Sequence, residues 1–346
     1  MAQFNTIEFK DGVLKLIDQR KLPLSFEIFE CKNYREVDFA IKDMVVRGAP
    51  AIGVTAAYGV YLAALEYKNL TKEEFLKEVL RACDILYVSR PTAVNLMWAI
   101  NRMRDLINTL KEDSIDKICD AIKDEADKIA KEDENINKKI AEHGNNIIPQ
   151  NARILTHCNT GALATSAYGT ALGVIREAHY SGKNIFVYAD ETRPRLQGAR
   201  LTAFELVKEK IPAKLIPDNA AATLIRDGKV DVIIVGADRI ALNGDTANKI
   251  GTFMLSVIAK VYNVPFYIAA PTSTIDFNIE SGKEIVIEER DSREVTHIEG
   301  IRIAPEGIDV YNPAFDVTPN ENITGIITEK GIITKPFREN ILKLKL

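Results

Sequence analysis

The residues best suited to chemistry in this chain lie directly after three short apolar runs between positions 151 and 250. The runs and the turns that follow them read ILTHCNTG from Ile154, FVYADETR from Phe186 and VIIVGADR from Val232. Continuous apolar runs of this length are typical of strands buried on both faces of a parallel sheet. Ligands of open parallel sheets bind just outside the carboxyl ends of the strands, and here those ends carry a thiol, carboxylates and arginines. Because packing needs none of these groups, the pattern indicates an enzyme or a descendant of one.

Cys158 differs from the other cysteines in its position. It follows an apolar run and precedes Asn159-Thr160-Gly161, which we expect to open a helix, and a helix N-terminus lowers the pKa of a thiol. Cys83 and Cys119 fall in helical apolar patterns, where a cysteine is a small core residue. A buried cysteine without a catalytic role is the alternative interpretation of Cys158.

Asp238 follows the apolar residues Val232–Val235 and the small pair Gly236-Ala237. A carboxyl group there is expected to face a partly dry crevice, which raises its pKa and suits a general acid. A helix cap or an ion pair with Arg239 is the alternative. The other charged residues of these turns are expected to form an ion-pair network rather than to act in catalysis: Asp190, Glu191, Arg193 and Arg195.

Three cationic segments are predicted to begin helices, and together they indicate an anionic ligand, such as a phosphate. Arg47-Gly48-Ala49-Pro50 precedes a small, apolar stretch, so the helix after it would aim its N–H groups outward. Arginine adds a fork of donors that matches phosphate. Ser89-Arg90-Pro91-Thr92 is the second segment, and Asn248-Lys249 is the third. Each signal alone is also typical of a surface helix.

Composition and motifs exclude several classes of protein. The net charge of −4 argues against a nucleic-acid partner. No signal peptide is recognisable, and no apolar run is expected to reach the roughly 18 residues that span a membrane. The four cysteines form no CxxC pair and the four histidines no ligand cluster, so we expect no metal site and a reducing cytoplasmic location. Dinucleotide, P-loop, α/β-hydrolase and zinc-protease motifs are absent.

The periodicity predicts an α/β chain, and 346 residues suit two domains. Residues 1–35 alternate in polarity as a small antiparallel β meander does, and from Tyr34 to about Ile148 the apolar residues recur at helical spacing. From Arg153 onward strands and helices alternate, as in a doubly wound sheet. We expect a helical N-terminal domain over residues 1–125 and an α/β catalytic domain over residues 126–346.

Within the second domain we expect a strand at Lys214–Asp218, helices over 219–227 and 248–262, and a strand over 265–270. The tail from Ile308 contains two short strand-like runs, Ile326-Ile327 and Ile332-Ile333. We expect this tail to wrap the edge of the sheet.

Six runs, in this order, resemble the methylthioribose-1-phosphate isomerase family. They are VVRGAPAIGVTAAYG, SRPTAVNL, THCNTGALAT, DETRPRLQGARLTAFEL, VGADRIALNGDTANKIGT and AAPTSTID. The resemblance extends from about residue 5 to 340, and that family is related to the regulatory subunits of the eukaryotic initiation-factor-2 exchange factor. It implies a helical N-terminal domain, a Rossmann-like C-terminal domain and a homodimer. It also implies conversion of 5-methylthioribose 1-phosphate to 5-methylthioribulose 1-phosphate in methionine salvage.

The resemblance also implies roles for single residues. The catalytic cysteine of the family matches Cys158 and its proton-donating aspartate matches Asp238. Its substrate contacts match Arg47, Gly48, Ala49, Arg90, Gln197, Asn248 and Lys249.

The implied reaction fits the two catalytic groups. Because C1 carries the phosphate, the sugar ring cannot open by itself to a free aldehyde, and Asp238 is expected to protonate the ring oxygen. Cys158 as a thiolate could then shuttle a proton through an enediolate, or hydride could shift directly while Cys158 and apolar neighbours exclude water. Neither route needs a metal or an organic cofactor.

Two other functions stay open at the level of sequence. One is an isomerase of another sugar 1-phosphate, such as 5-deoxyribose 1-phosphate or ribose 1,5-bisphosphate, because the group at C5 of the sugar is not readable from the sequence. The other is a non-catalytic regulatory subunit of the same fold. The presence of both Cys158 and Asp238 in intact motifs argues against the regulatory subunit.

Overall fold

A computed structural model describes residues 5–90 and 94–345. Its contacts form two compact units, one up to Lys138 with the segment Thr160–Gly169, and one of Lys139–Asn159 with the chain from Thr170 onward. This division lies later in the chain than the boundary predicted at 125/126. The first unit also includes a segment that the predicted boundary assigns to the second domain.

The first unit begins with a three-stranded antiparallel sheet, as predicted. The strands are β1 (Ile7–Lys10), β2 (Val13–Ile17) and β3 (Ile28–Cys31), in the order β1-β2-β3. The helices that follow are α1 (Tyr34–Lys42), α2 (Ala49–Tyr67), α3 (Lys72–Tyr87), α4 (Val94–Thr109) and α5 (Ile115–Asn145), and the residues of α5 after Lys138 belong to the second unit. Side chains cap two of them: Asn33 accepts hydrogen bonds at the start of α1, and Thr71 forms a capping box with Glu74 at the start of α3.

Helix α2 is the central helix of this unit, and it is apolar on all sides. Its residues from Ala51 to Val60 are all buried, which is typical of a helix inside a core. The helix is long and apolar enough to cross a membrane, but 78% of its apolar 18-residue stretch is buried inside the protein. The expectation that no apolar run reaches this length is therefore wrong. Cys83 and Cys119 lie in the same core, as predicted.

The second unit contains the predicted parallel sheet. Its strands and those of two small sheets are β4 (Arg153–Thr156), β5 (Phe186–Asp190), β6 (Ala213–Ile216), β7 (Val232–Val235), β8 (Arg239–Ile240), β9 (Thr246–Lys249), β10 (Phe266–Ala269), β11 (His297–Ile298), β12 (Ile301–Arg302), β13 (Phe315–Thr318), β14 (Gly325–Thr328) and β15 (Gly331–Ile333). The seven-stranded sheet has the order β15-β14-β10-β7-β4-β5-β6. All its neighbours pair in parallel except β14 and β15.

The helices of the second unit are α6 (Ala171–Tyr180), α7 (Ala203–Lys208), α8 (Ala220–Arg226), α9 (Thr252–Val261), α10 (Arg293–Thr296) and α11 (Phe337–Leu342). The alternation of strands and helices from β4 to β10 confirms the predicted fold class. The small sheet β13-β9-β8 is antiparallel and follows β7 along the chain. It was not predicted, since its strands are short and β8 has only two residues.

Three sequence-based expectations about elements are wrong. The residues after Cys158 do not open an α-helix: a 3₁₀ turn occupies Ala162–Ala164, and α6 begins only at Ala171. Asn248 and Lys249 belong to strand β9, and the helix predicted over 248–262 begins at Thr252. The two strand-like runs of the tail are confirmed as β14 and β15, but they extend the sheet instead of wrapping its edge, because β14 pairs with β10 and β15 is the edge strand.

Candidate active site

The predicted meeting of strand ends is confirmed in the second unit. Strand β4 lies between β7 and β5, with Ile154 opposite both Val232 and Val187. The chain leaves β4 for β5 on one side of it and later returns to β7 on the other side. This is the topological switch point at which open parallel sheets bind ligands. The turns that carry Cys158 and Asp238 therefore follow neighbouring strands.

Cys158 lies beyond the paired part of β4 in an unusual backbone conformation. Its φ is 63°, in the left-handed region, which costs a residue with a side chain about 1–3 kcal/mol. Its N–H donates to the Thr192 hydroxyl at 2.8 Å, and its carbonyl accepts from the Thr202 hydroxyl at 2.6 Å. The side chain is buried. Because no α-helix begins directly after Cys158, the helix-dipole argument for a reactive thiol falls away.

His157 and Asp190 form a buried pair beside Cys158. The imidazole Nδ1 lies 2.8 Å from the Asp190 carboxylate, and Nε2 lies 2.8 Å from the Ile250 carbonyl oxygen. A carbonyl only accepts, so Nε2 carries a proton, and Nδ1 and Asp190 share a second one. Burial alone would lower the pKa of His157, but the hydrogen bond and the charge of Asp190 raise that pKa overall.

The buried pair of His157 and Asp190 was not predicted from the sequence, although the sequence contains a signal for it. Thr156 lies opposite Ala189 in the parallel register of β4 and β5. The next residues along the two strands are His157 and Asp190. An imidazole beside a carboxylate at two adjoining strand ends is a recognisable pair once the strands are placed side by side.

The prediction that the charged residues of the turn after β5 form an ion-pair network is wrong. Asp190 contacts His157, and the Arg195 guanidinium pairs with Glu294 at 2.8 Å. The Arg193 guanidinium donates to the carbonyl groups of Pro194 and Val295. These residues fix the turn to neighbouring segments rather than to one another.

His157, Asp190 and Asp218 have ligand atoms within 4.8 Å of one another, close enough to hold a metal ion. The structure explains their closeness through hydrogen bonds within the protein. Both imidazole nitrogens already face oxygen atoms, and the Asp218 carboxylate accepts from the N–H groups of Thr192 and Arg193 at 2.6 and 2.7 Å. We therefore assign this cluster to fixing the strand ends.

Asp238 lies in the connection between β7 and β8, and it is partly exposed. Its N–H donates to the Ala247 carbonyl at 2.9 Å, which holds it against β9 directly beside Asn248. The guanidinium of the next residue, Arg239, lies 3.8 Å from the Asp276 carboxylate. The structure thus brings Asp238 next to two of the predicted substrate contacts.

Asn248 and Lys249 are buried at the end of β9, and neighbouring groups orient both of them. The Lys249 ammonium donates to the Ala314 carbonyl at 3.0 Å and lies 4.3 Å from the centre of the Phe315 ring. The Asn248 amide donates to the Thr252 hydroxyl at 2.9 Å. The ring and the carbonyl hold this ammonium group in place, and an ammonium group has three donors.

Gln197 is buried after the turn that follows β5. Its amide oxygen has no hydrogen-bond partner among the residues that the structure describes, as expected for a group that binds a ligand hydroxyl or amine. The next residue, Gly198, must be small because a β-carbon there would lie 1.7 Å from the Asp190 carbonyl oxygen. This close approach holds Gln197 at the carboxyl end of β5.

The other predicted substrate contacts lie in the first unit. Arg47 precedes α2, Gly48 is its N-cap with a φ of 94°, and Ala49 is its first residue. The helix start predicted from Arg47 to Pro50 is therefore confirmed. Arg90 follows the end of α3, and the start of the next helix, predicted at Pro91 and Thr92, lies outside the described residues.

Comparison with known proteins places the chain in a family. Residues 45–335 match the Initiation factor 2 subunit family. The chain is 74% identical over 345 residues to the methylthioribose-1-phosphate isomerase of Caldanaerobacter subterraneus subsp. tengcongensis, with 100% of both chains covered. This chain belongs to the methylthioribose-1-phosphate isomerases within the Initiation factor 2 subunit family. The family resemblance inferred from six motifs is thereby confirmed.

Two solved structures are similar to the chain over its whole length. One is the 5-methylthioribose 1-phosphate isomerase of Pyrococcus horikoshii OT3, with 48% identity and a TM-score of 0.93 over 99% of this chain and 95% of that one. The other is described as subunit delta of translation initiation factor eIF-2B from A. fulgidus, with 45% identity and a TM-score of 0.89 over 99% of this chain and 100% of that one. The similarity to both structures confirms the predicted α/β fold class.

Proposed function

We propose that this chain converts 5-methylthioribose 1-phosphate to 5-methylthioribulose 1-phosphate, the aldose–ketose isomerisation of methionine salvage. The names of the relatives above support the reaction. The observation that carries the proposal is the position of Cys158 and Asp238 after the neighbouring strands β4 and β7. A thiol and an acid therefore both lie at the switch point of the sheet, where the proposed reaction uses the acid to open the sugar ring and the thiol in the transfer of hydrogen.

In this proposal Asp238 protonates the ring oxygen, and the bond between that oxygen and C1 breaks. Hydrogen must then move from C2 to C1, and the C2 hydroxyl must lose its proton to become the ketone. If hydrogen moves as a hydride, the thiol and its apolar neighbours serve to exclude water. If it moves as a proton, a thiolate takes it from C2 and an enediolate forms. The C1–phosphate bond stays intact in both routes.

Turnover of the purified full chain tests the proposal. The substrate is 5-methylthioribose 1-phosphate, and the measurement is formation of the ketose phosphate. Ribose 1,5-bisphosphate and 5-deoxyribose 1-phosphate are assayed beside it, because they differ at C5. Faster turnover of either would move the assignment to another sugar 1-phosphate, and no turnover of all three would favour a regulatory subunit.

Arg47, Arg90 and Lys249 are proposed to supply positive charge to the phosphate. We expect Arg90→Ala to weaken substrate binding by about 2–4 kcal/mol if the pair is desolvated, an increase of about 30- to 700-fold in KM. Arg35→Ala is the control, because Arg35 forms an exposed ion pair with Glu66 on the same unit, and such pairs contribute about 1 kcal/mol at most. Equal KM values for the Arg90 and Arg35 variants would remove Arg90 from the site.

A homodimer in the cytoplasm, without nucleic-acid or membrane partners, is also part of the proposal. Helix α9 supports the dimer, because Phe253, Val257 and Val261 are exposed and follow one another at helical spacing. Such contiguous apolar residues mark interaction surfaces. Sedimentation velocity of the full chain is expected to give the mass of two chains. A single chain at micromolar concentration would contradict the dimer.

A further inference from the structure

The left-handed backbone of Cys158 is held by side chains instead of by the sheet. The pairing of β4 with β5 ends at Thr156, before Cys158. Cys158 donates to the Thr192 hydroxyl and accepts from the Thr202 hydroxyl. The left-handed region is unfavourable for a residue with a side chain. These two hydrogen bonds therefore stabilise a backbone conformation that Cys158 would not adopt without them.

Both hydroxyl groups are themselves fixed. Thr192 and Thr202 are 0% and 1% exposed. The Thr192 hydroxyl donates to the Asp190 carbonyl at 3.2 Å, and the Thr202 hydroxyl accepts from the Asn159 amide at 3.2 Å. Each hydroxyl therefore uses both its donor and its acceptor capacity, and neither can turn away from Cys158 without breaking a second hydrogen bond.

A second layer of charged groups holds the Thr202 side of this arrangement. The Asn159 amide that reaches Thr202 also donates to Glu205 at 2.8 Å. The Glu205 carboxylate lies 3.2 Å from the Arg176 guanidinium, which also pairs with Glu209 at 2.6 Å. Arg176 is the largest fully buried side chain among the described residues. Buried charges that are paired with one another resist movement, so this layer stiffens the contact to Cys158.

Thr202 also ends the π-helix Gly198–Thr202, which directly follows Gln197. Single π-helical turns occur often at functional sites. The same short segment therefore places a proposed substrate contact at one end and a hydrogen bond to the proposed catalytic cysteine at the other.

We propose that Thr192 and Thr202 are positioning residues that fix the Cys158 backbone in its left-handed conformation and so aim the thiol at the substrate. The inference rests on the proposed function, in which Cys158 acts on the sugar. The direction of the Cα–Cβ bond depends on φ, so relaxation of Cys158 to a common conformation turns the sulfur away. Misplacement by about 1 Å is enough to cost on the order of a hundredfold in rate.

The test replaces each threonine by valine, which keeps the shape and removes the hydroxyl, and by serine, which keeps the hydroxyl. We expect Thr202→Val to lower kcat about 10- to 100-fold with KM within about twofold of wild type, since only the geometry of the reacting group changes. Thr202→Ser is expected to restore most of kcat. Thr192→Val and Thr192→Ser repeat the comparison on the other backbone group, and they decide the question if Thr202→Val does not fold.

Thr328→Val is the matched control. Thr328 is also fully buried, and its hydroxyl donates to the Gly331 carbonyl and accepts from the Lys330 N–H. It lies on β14, which β10 and β7 separate from β4. We expect its valine variant to lose stability, measured by thermal unfolding, and to keep kcat. A loss of kcat as large as that of Thr202→Val would overturn the proposal, as would equal losses for valine and serine at position 202.

A second measurement does not depend on isomerase activity. The rate of alkylation of Cys158 by iodoacetamide is followed by mass spectrometry of the peptide that contains it. A changed rate in Thr202→Val, with a wild-type rate in Thr202→Ser and Thr328→Val, supports the positioning role. An unchanged rate overturns it. If wild type turns over none of the sugar phosphates, the proposed function fails, and the alkylation rates still decide whether the threonines position the thiol.

Discussion

Asp238→Asn should reduce turnover about 10²–10⁴-fold, the range that general acid catalysis contributes, while substrate binds almost as tightly as to wild type. Asparagine keeps the shape of the side chain and a hydrogen-bond donor, but its amide protons are not acidic enough to be transferred to the ring oxygen. The N–H of residue 238 would still donate to Ala247, so the backbone has no reason to move. Loss of kcat without loss of affinity is the pattern of an interaction made only in the transition state.

Two measurements on the purified variant check this expectation: kcat with 5-methylthioribose 1-phosphate, and the dissociation constant by titration calorimetry. Asp231→Asn is the matched control, because Asp231 lies just before the opposite end of the same strand, β7. It binds the Arg153 guanidinium and N–H, so its replacement should cost stability and leave kcat unchanged. Survival of turnover in Asp238→Asn would show that another group is the acid, and a differently catalysed or regulatory relative would then be the better assignment.

The large elements of the second unit could be predicted because their signals are local. Each buried parallel strand is a short apolar run, and the turn after it is polar. The position of Cys158 and Asp238 after neighbouring strands, at the carboxyl end of the sheet, then follows from a general property of parallel sheets. The antiparallel strand β9 could not be predicted in the same way. Its residues Thr246–Lys249 contain no apolar run, and they become a strand only because β8 and β13 lie on either side of them.

The error after Cys158 has a different physical cause. Asn159-Thr160-Gly161 carries the residues that start helices, but side-chain contacts decide the local conformation here. The Asn159 amide donates to Thr202 and Glu205, residues more than 40 positions later in the chain. Such long-range hydrogen bonds to side chains have no periodic signal in a sequence. For the same reason the sequence does not predict the Thr192 and Thr202 hydroxyl groups that bind Cys158, or the hydrogen bond between Nε2 of His157 and the Ile250 carbonyl.

Cys158→Ser should likewise reduce turnover by about 10²–10⁴-fold if the thiolate transfers the proton, because a hydroxyl at neutral pH is a far weaker base. Cys83→Ser is the control. Cys83 is completely buried in the apolar core of the first unit, and burial raises the pKa of its thiol to about 12. A hydroxyl there should cost about 1–3 kcal/mol of unfolding free energy and leave kcat unchanged. Near wild-type turnover in Cys158→Ser would remove the thiol from the mechanism.

Cys158→Ala, combined with substrate deuterated at C2, separates the two routes of hydrogen transfer. If hydride shifts directly and Cys158 only excludes water, the product keeps the deuterium at C1, and alanine, which is also apolar, retains much of the turnover. If a thiolate carries a proton, the sulfur-bound deuterium exchanges at least in part with solvent water, and alanine is as inactive as serine. Mass spectrometry of the product reports the label, and kcat reports the role of the sulfur. Complete retention of deuterium in the wild-type product together with an inactive alanine variant would contradict the proposal that Cys158 only excludes water in a hydride shift.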